Sequence, residues 1–314
     1  MSDPDSPQLT ILEGLRREIS LAVGNSAEAL GPALPEADAI LNWVHSNHVL
    51  REIFGKCPRL RWVHARSAGV DQFLFPELVA SPVTVTNSRG VFSAALGEFA
   101  LAAILYFAKD FRRMIRNQAA GVWESFDVEE VEGRTVCIVG YGDIGRAVAA
   151  RARAFGMKVL AVKRQAVPRG ADPLADEVFG PERRAEAISR SDYIVASAPL
   201  TPETRGLIGA AEIAAMKPTA VVINVGRGDV IDEPSLVAAL AAKRIRGAAL
   251  DVFSREPLPA GHPFYKLENV LLSPHCADHT TTWEDDAMRF FLAQFERYRK
   301  NRPLLSVVNK ERGY

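Results

Sequence analysis

Cysteine is scarce in this chain: Cys57, Cys137 and Cys276 are the only three in 314 residues. They are odd in number and widely spaced, which argues against a disulfide framework or a zinc site and fits a reducing compartment. An excess of charge of either sign is also missing. Lys plus Arg and Asp plus Glu each number 38, so no bulk field draws the protein to nucleic acid or to an anionic membrane. Any basic site must be local. No apolar run approaches a membrane span, and the opening Met-Ser-Asp-Pro-Asp-Ser-Pro is polar rather than signal-like. Short repeats and low-complexity tracts are absent as well. What remains is a cytoplasmic globular protein, 48% apolar and 24% charged, long enough for two domains with separate cores.

The most informative stretch runs from Val136 to Gly145, Val-Cys-Ile-Val-Gly-Tyr-Gly-Asp-Ile-Gly. Four apolar residues read as a buried strand, and Gly140, Gly142 and Gly145 follow in the G-x-G-x-x-G spacing. Asp143 and Ile144 complete the turn. Arg146 to Phe155 continues at helical periodicity, and Lys158 to Val162 reads as the next strand. In a dinucleotide site the first glycine permits the tight turn and the second lets the backbone approach a pyrophosphate. The third brings the helix close to the strand. Free amides and the helix dipole then favour the phosphates at the helix start. Glycines alone also mark ordinary turns; the flanking strand and helix supply the context such a site requires.

The rest of the chain fits an α/β protein. In the first part, Gln8–Leu12 and Ile19–Val23 are candidate strands behind a disordered 1–7. Clearer strands run over 37–44, 60–65 and 83–86, with a short helix over 49–54. The spacing predicts one long apolar helix over 93–114, then an extended amphipathic arm from Phe111 to Phe126 carrying Trp123. From Gly133 strands are expected near 136–139, 158–162, 193–197, 220–225, 247–250 and 270–272. Helices are expected near 144–155, 181–190, 210–215, 234–242 and 280–300. That alternation predicts a six-stranded, doubly wound parallel sheet. The expected organisation is a dinucleotide-binding domain over 93–283 and a smaller α/β substrate domain of the flavodoxin-like kind, 1–92 plus 284–314.

In open parallel sheets, ligands sit beyond the carboxyl ends of the strands. Three chemically capable side chains follow strand ends here: Arg227 after 220–225, Glu256 after 247–250 and His275 after 270–272. Each has an ordinary reading as a loop or turn residue, yet together they collect on the ligand side of a dinucleotide fold. His275 has the residue type for proton transfer near neutral pH, and a carboxylate such as Glu256 would favour its imidazolium form. Arg227 carries a planar fork suited to carboxylate and carbonyl oxygens. Cys276 reads as a packing residue, and His45, His48 and His279 as loop or capping residues.

Several motifs resemble the D-isomer-specific 2-hydroxyacid dehydrogenases over about residues 60–280. They are Gly140-Tyr-Gly-Asp-Ile-Gly145, Pro199-Leu-Thr-Pro-Glu-Thr-Arg-Gly-Leu-Ile208, Asn224-Val-Gly-Arg-Gly228, Ala249-Leu-Asp-Val-Phe253, Arg255-Glu-Pro257 and Ser273-Pro-His275. The resemblance implies a reductase interconverting a small 2-oxo acid, such as glyoxylate, hydroxypyruvate or pyruvate, and a D-2-hydroxy acid. It implies His275 as acid/base, Glu256 as its partner and Arg227 as the substrate anchor, with the amides of Ala68, Gly69 and Val70 as a second carboxylate anchor. It places Asp251 against the nicotinamide carboxamide, and Pro199 and Thr204 along the adenine and ribose side. Val225 falls in the matched cofactor-lining motif, and a homodimer is implied. Glu98 falls where the family often carries a Glu, without an assigned role. The same resemblance leaves a rival open, a nucleotide-sensing corepressor-like protein on this fold. Residues before about 60 match poorly, which leaves substrate selectivity to loops around Trp43, His45 and Arg66.

One departure concerns the cofactor. NAD sites carry an acidic residue about twenty positions past the glycines. Here the strand ends Ala161-Val-Lys-Arg-Gln165, with Lys163 and Arg164 in its place and Arg169 beyond. Basic residues suit a 2′-phosphate, so NADP(H) is favoured over NAD(H). Basic residues that merely face water are the alternative.

Overall fold

The computed structural model describes residues 1–44 and 46–314; the part of the selectivity expectation that rests on His45 lies outside the described residues. The chain forms two units, Met1–Phe92 with Thr280–Tyr314, and Ser93–His279. Residues 280–283, grouped by the sequence pattern with the nucleotide part, belong to the first unit.

In the first unit, strands β1 (Ala39–Asn42), β2 (Trp62–Ala65) and β3 (Thr84–Asn87) lie parallel in sequence order. Ala39 stands opposite Trp62, and Trp62 opposite Thr84. The helix Trp283–Arg299 lays Phe291, Phe295 and Tyr298 on the Trp62 indole. Antiparallel pairing of Val307 with Thr86 ties down the tail.

The N-terminal expectations need correction. Gln8–Leu12 is no strand: Pro7–Arg17 is a 3₁₀ helix. Pro7 suits its first turn, and the buried pair Leu12 and Leu15 is spaced by three, one turn of a 3₁₀ helix. Ile19–Val23 keeps alternate exposure but joins no ladder. Nor is 1–7 wholly unstructured, since Ser2 N–H donates to Gly24 O at 3.0 Å and Trp43 N–H to Met1 O at 2.9 Å.

The second unit holds seven parallel strands: β4 (Thr135–Val139), β5 (Lys158–Val162), β6 (Glu177–Phe179), β7 (Tyr193–Ala196), β8 (Val221–Asn224), β9 (Gly247–Leu250) and β10 (Val270–Leu272). Their spatial order is β10-β9-β8-β7-β4-β5-β6. The order reverses between β4 and β7, the switch point at which doubly wound sheets bind ligands. The sheet is therefore Rossmann-type, with one strand more than expected. Three-residue β6 is too short to stand out from its loop in the sequence.

The long helix expected over 93–114 is two, Ser93–Ala108 and Phe111–Ala120. They break at Asp110, which sits at φ 50 and accepts from Arg113 N–H as an N-cap. The supposed extended arm is therefore helical up to Ala120. Buried Leu96, Ala100, Ala103, Ile104 and Phe107 mark the inner face of Ser93–Ala108. Gly97 lets it meet the helix Asp143–Ala154 closely, because a Cβ there would lie 3.1 Å from the Ala147 carbonyl carbon.

Candidate active site

The glycine-rich turn leaves β4 at the switch point. Gly140 adopts φ 99, and a Cβ on it would collide with the backbone of Ala198 after β7. A Cβ on Gly145 would strike the Gly140 carbonyl, so only glycine lets the Asp143–Ala154 helix start this close to the strand. At Gly142 a Cβ would meet nothing within 4 Å. The turn thus presents open backbone at Gly142, followed by Asp143, Ile144 and Gly145, whose first-turn amides have no intrahelical acceptor. That is the shape and polarity a pyrophosphate needs, so the residues present fit a dinucleotide. On the β7 side, Thr204 Oγ1 donates to Pro199 O at 2.6 Å and closes that segment into a compact wall. Val225, buried, continues β8 through its N–H to Ala196 O at 3.0 Å.

Beyond β8, β9 and β10 stand Arg227, Glu256 and His275. His275 Nδ1 lies 2.6 Å from Glu256 Oε2, and Phe253 N–H donates to Glu256 Oε1 at 2.9 Å. The hydrogen bond to Glu256, then the carboxylate's charge, raise the His275 pKa above the ordinary imidazole value against burial and the nearby Arg227 charge. Burial acting alone would raise the Glu256 pKa; its hydrogen bonds with His275 and Phe253, with the positive charges nearby, hold it below the usual value. Both shifts favour the imidazolium–carboxylate form of the pair.

Sequence spacing does not show what holds His275 in place. Its backbone adopts φ 53, a conformation that costs a non-glycine residue and persists only where its surroundings impose it. Asp251 imposes it. Its carbonyl accepts His275 N–H at 2.9 Å, and its Oδ1 accepts Ser273 Oγ at 2.5 Å, Cys276 N–H at 2.9 Å and Ala277 N–H at 3.0 Å. Asp251, expected beside the nicotinamide, is seen to anchor the histidine loop. Arg227 is set by Asn224, whose side chain donates to Arg227 O at 3.0 Å and accepts Gly226 N–H at 3.1 Å. A Cβ on Gly228 would collide with Phe253 and Ser254, so the arginine loop and the glutamate loop are braced on each other. Glu233, which the sequence reading passed over, receives Ser254 N–H at 3.1 Å and supports the same loop.

Another passed-over residue lies beside the basic strand end. Lys163 is half-buried and Arg164 and Arg169 are exposed, and no carboxylate occurs between β5 and Asp172. Asp172 itself accepts the Tyr141 hydroxyl at 2.9 Å and Leu174 N–H at 2.9 Å on Oδ1, and Arg146 at 2.6 Å on Oδ2.

In the first unit the loop after β2 carries Ala68, Gly69 and Val70. Their carbonyls are engaged, Ala68 O by Asn87 at 2.5 Å and Gly69 O by Ser67 Oγ at 2.7 Å. Their amides meet no acceptor among the described residues. Just before them, the Arg66 guanidinium lies between the indoles of Trp43 and Trp283, 5.3 and 5.0 Å from the ring centres, and pairs with Glu284 at 3.0 Å. His48 begins a short helix, His279 lies 3.8 Å from Asp278, and Glu98 pairs with Arg151 at 2.9 Å. Cys276 Sγ sits 3.5 Å from Ser273 Oγ.

A dinucleotide turn at the switch point and a hydrogen-bonded His–Glu pair at the carboxyl edge of the same sheet fit a nicotinamide-dependent oxidoreductase. Comparison with known proteins agrees. The family model for the NAD-binding domain of D-isomer specific 2-hydroxyacid dehydrogenases matches residues 101–277. The glyoxylate reductase of Thermococcus gammatolerans is 33% identical over 296 residues, covering 90% of this chain and 86% of that one. Among solved structures, a D-isomer specific 2-hydroxyacid dehydrogenase from Xanthobacter autotrophicus Py2, in complex with NADPH and MES, superposes with a TM-score of 0.82. It is 29% identical, and the match covers 100% of this chain and 99% of that one. An NADPH-dependent glyoxylate/hydroxypyruvate reductase from Sinorhizobium meliloti, solved with NADP and sulfate, gives a TM-score of 0.77 at 27% identity, covering 90% of each chain. The chain belongs to the D-isomer-specific 2-hydroxyacid dehydrogenase family. It is an NAD(P)-dependent oxidoreductase acting on 2-oxo acids. No helix among the described residues is long and apolar enough to cross a membrane.

Proposed function

We propose that this enzyme reduces a small 2-oxo acid of the glyoxylate or hydroxypyruvate kind to its D-2-hydroxy acid, preferring NADP(H). The observation that carries the reading is the 2.6 Å His275–Glu256 contact. It raises the imidazole pKa and orients the ring, so that Nε2–H donates the proton to the carbonyl oxygen in reduction and recovers it in oxidation. When bound, the nicotinamide supplies the hydride for C2. Arg227 engages the substrate carboxylate and carbonyl oxygen and polarises the carbonyl. By family resemblance, the unpaired amides of Ala68, Gly69 and Val70 form the second carboxylate anchor. The preference for NADP(H) is supported by Lys163 and Arg164 at the end of β5, where the chain carries no acidic residue before Asp172. The Thermococcus relative, named a glyoxylate reductase, and the Sinorhizobium one, named a glyoxylate/hydroxypyruvate reductase, support the substrate class.

The reading includes a cytoplasmic homodimer. Its support is the helix Phe111–Ala120, which buries no residue, and the wholly exposed Trp123 that follows it. A monomeric mass by light scattering at micromolar concentration would refute the dimer. The catalytic reading is tested by kcat/KM with NADPH and with NADH over glyoxylate, hydroxypyruvate, pyruvate and phenylpyruvate. The first two substrates and NADPH should lead. In the Lys163→Ala, Arg164→Ala double variant the NADPH preference should collapse through KM for NADPH alone. Equal use of both cofactors by the wild type overturns the cofactor assignment.

A further inference from the structure

The basic residues at the end of β5 lie on a long excursion between β5 and β6. It is held at its base, where Lys163 N–H donates to Phe179 O at 3.1 Å and Val167 bridges Val178. Arg164, within that base, and Arg169, beyond it, are both exposed to solvent. Like charges on an exposed loop spread it, and a loosely held cation binds a phosphate poorly because ordering it costs entropy.

We propose that Asp172 is a positioning residue for cofactor selectivity: it clamps this basic loop to the glycine-rich turn, so that Lys163 and Arg164 are set in advance for the 2′-phosphate of NADP(H). The proposal rests on the NADP(H) reading above and adds the device that enforces it.

The clamp has three ties. Tyr141, between Gly140 and Gly142, donates its hydroxyl to Asp172 Oδ1 at 2.9 Å. Arg146, in the first turn of the helix leaving Gly142, donates to Asp172 Oδ2 at 2.6 Å, and its guanidinium lies 5.4 Å from the Tyr141 ring centre. Leu174 N–H closes the loop's own turn on Oδ1 at 2.9 Å. One carboxylate, its side chain only 12% exposed, thereby joins the loop to both flanks of the turn that receives the pyrophosphate. The same bonds explain why the first acidic residue after β5 need not favour NAD(H). Its oxygens are committed to Tyr141, Arg146 and Leu174 rather than presented to a ribose hydroxyl. Asp172 also pairs with Arg146, so its negative charge is met on the helix side rather than turned toward Lys163 and Arg164.

The test separates the 2′-phosphate from the rest of the cofactor. Dissociation constants for 2′,5′-ADP and for 5′-AMP are measured by calorimetry on the full chain, for wild type and for Asp172→Asn. The asparagine keeps the shape and an acceptor for Tyr141, but turns an N–H₂ or an uncharged oxygen toward Arg146. The expected result is 2′,5′-ADP bound more tightly than 5′-AMP by the wild type. In the variant the Kd for 2′,5′-ADP should rise about tenfold, roughly the loss of one charged tie, with 5′-AMP unchanged. Tyr141→Phe, which removes only the hydroxyl, should move 2′,5′-ADP in the same direction by less, and carries the test if Asp172→Asn does not fold. A wild-type preference for 2′,5′-ADP that survives in the variants overturns the clamp alone. Equal weakening of both probes overturns it in favour of a structural role. Selective weakening of 5′-AMP overturns it in favour of a carboxylate that reads the ribose. A wild type with no preference for 2′,5′-ADP overturns the NADP(H) reading and the clamp with it.

Discussion

The two parallel sheets of this enzyme are buried by different means. In the second unit the inner strands β7, β8 and β9 are buried at every position, and Tyr193 and Asn224 are their only polar residues. The residues proposed for its chemistry stand outside the sheet, on loops after the strand ends. In the first unit β2 is buried throughout as well, but His64 is at its centre. Trp62 Nε1–H donates to Thr86 Oγ1 at 2.8 Å, His64 Nδ1 lies 2.7 Å from the same oxygen, and His64 Nε2 lies 3.3 Å from Ser88 Oγ. Burial lowers the His64 pKa to about 3, so the imidazole is neutral. The consistent assignment has Thr86 donating to Nδ1 and Nε2–H donating to Ser88. An apolar sheet tolerates variation in detail, whereas a buried polar network is stable only when every member is satisfied. Failure in the second unit should therefore appear as lost chemistry, and failure in the first as lost stability.

The sharpest break in the second unit is His275→Ala. Turnover should fall by about a hundred- to ten-thousand-fold while affinity for 2′,5′-ADP and the melting temperature hold; near-normal turnover would remove His275 from the chemistry. Next comes Arg227→Lys, which keeps the charge and loses the fork. The KM for the 2-oxo acid should rise about ten- to a hundredfold, and steady-state kinetics with unchanged KM and kcat would make Arg227 a bystander.

In the first unit Thr86→Val leaves Trp62 Nε1–H and His64 Nδ1 without their partner, at a cost of about 1–3 kcal/mol each. The melting midpoint should drop by several degrees, with nucleotide-probe affinity unchanged. The wild type carries a related pH signature. The folded pKa of His64 is depressed, so its contribution is fully present above the ordinary imidazole value. It is lost as pH falls from there toward about 3, because only the unfolded chain takes up the proton. Calorimetric melts whose acid slope is the same in wild type and in a His64→Gln variant would refute this.

The smallest effect sharpens the reading of the acid. His275 has a raised pKa, so kcat/KM for reduction should stay high at low pH and fall as pH rises through that raised value. In Glu256→Gln the descent should move to lower pH, since the carboxylate that favours imidazolium is gone. A profile that does not move would show that Glu256 has no hold on the proton.

The sequence by itself determined the nucleotide-binding sheet, its glycine turn and the places of Arg227, Glu256 and His275. The reason is physical: strands buried on both faces are continuous apolar runs, and ligand residues in such folds follow strand ends. It misread the N-terminal segment, where Pro7, Leu12 and Leu15 suit a three-residue repeat as readily as a strand. It also missed β6, too short to carry a period of its own. Only the tertiary structure decided which side chains meet. The Asp251 anchor of the histidine loop, the Trp43–Arg66–Trp283 stack and the Tyr141–Asp172–Arg146 clamp each join residues far apart in the chain. Such pairings follow from how elements pack, and neither periodicity nor spacing encodes them locally.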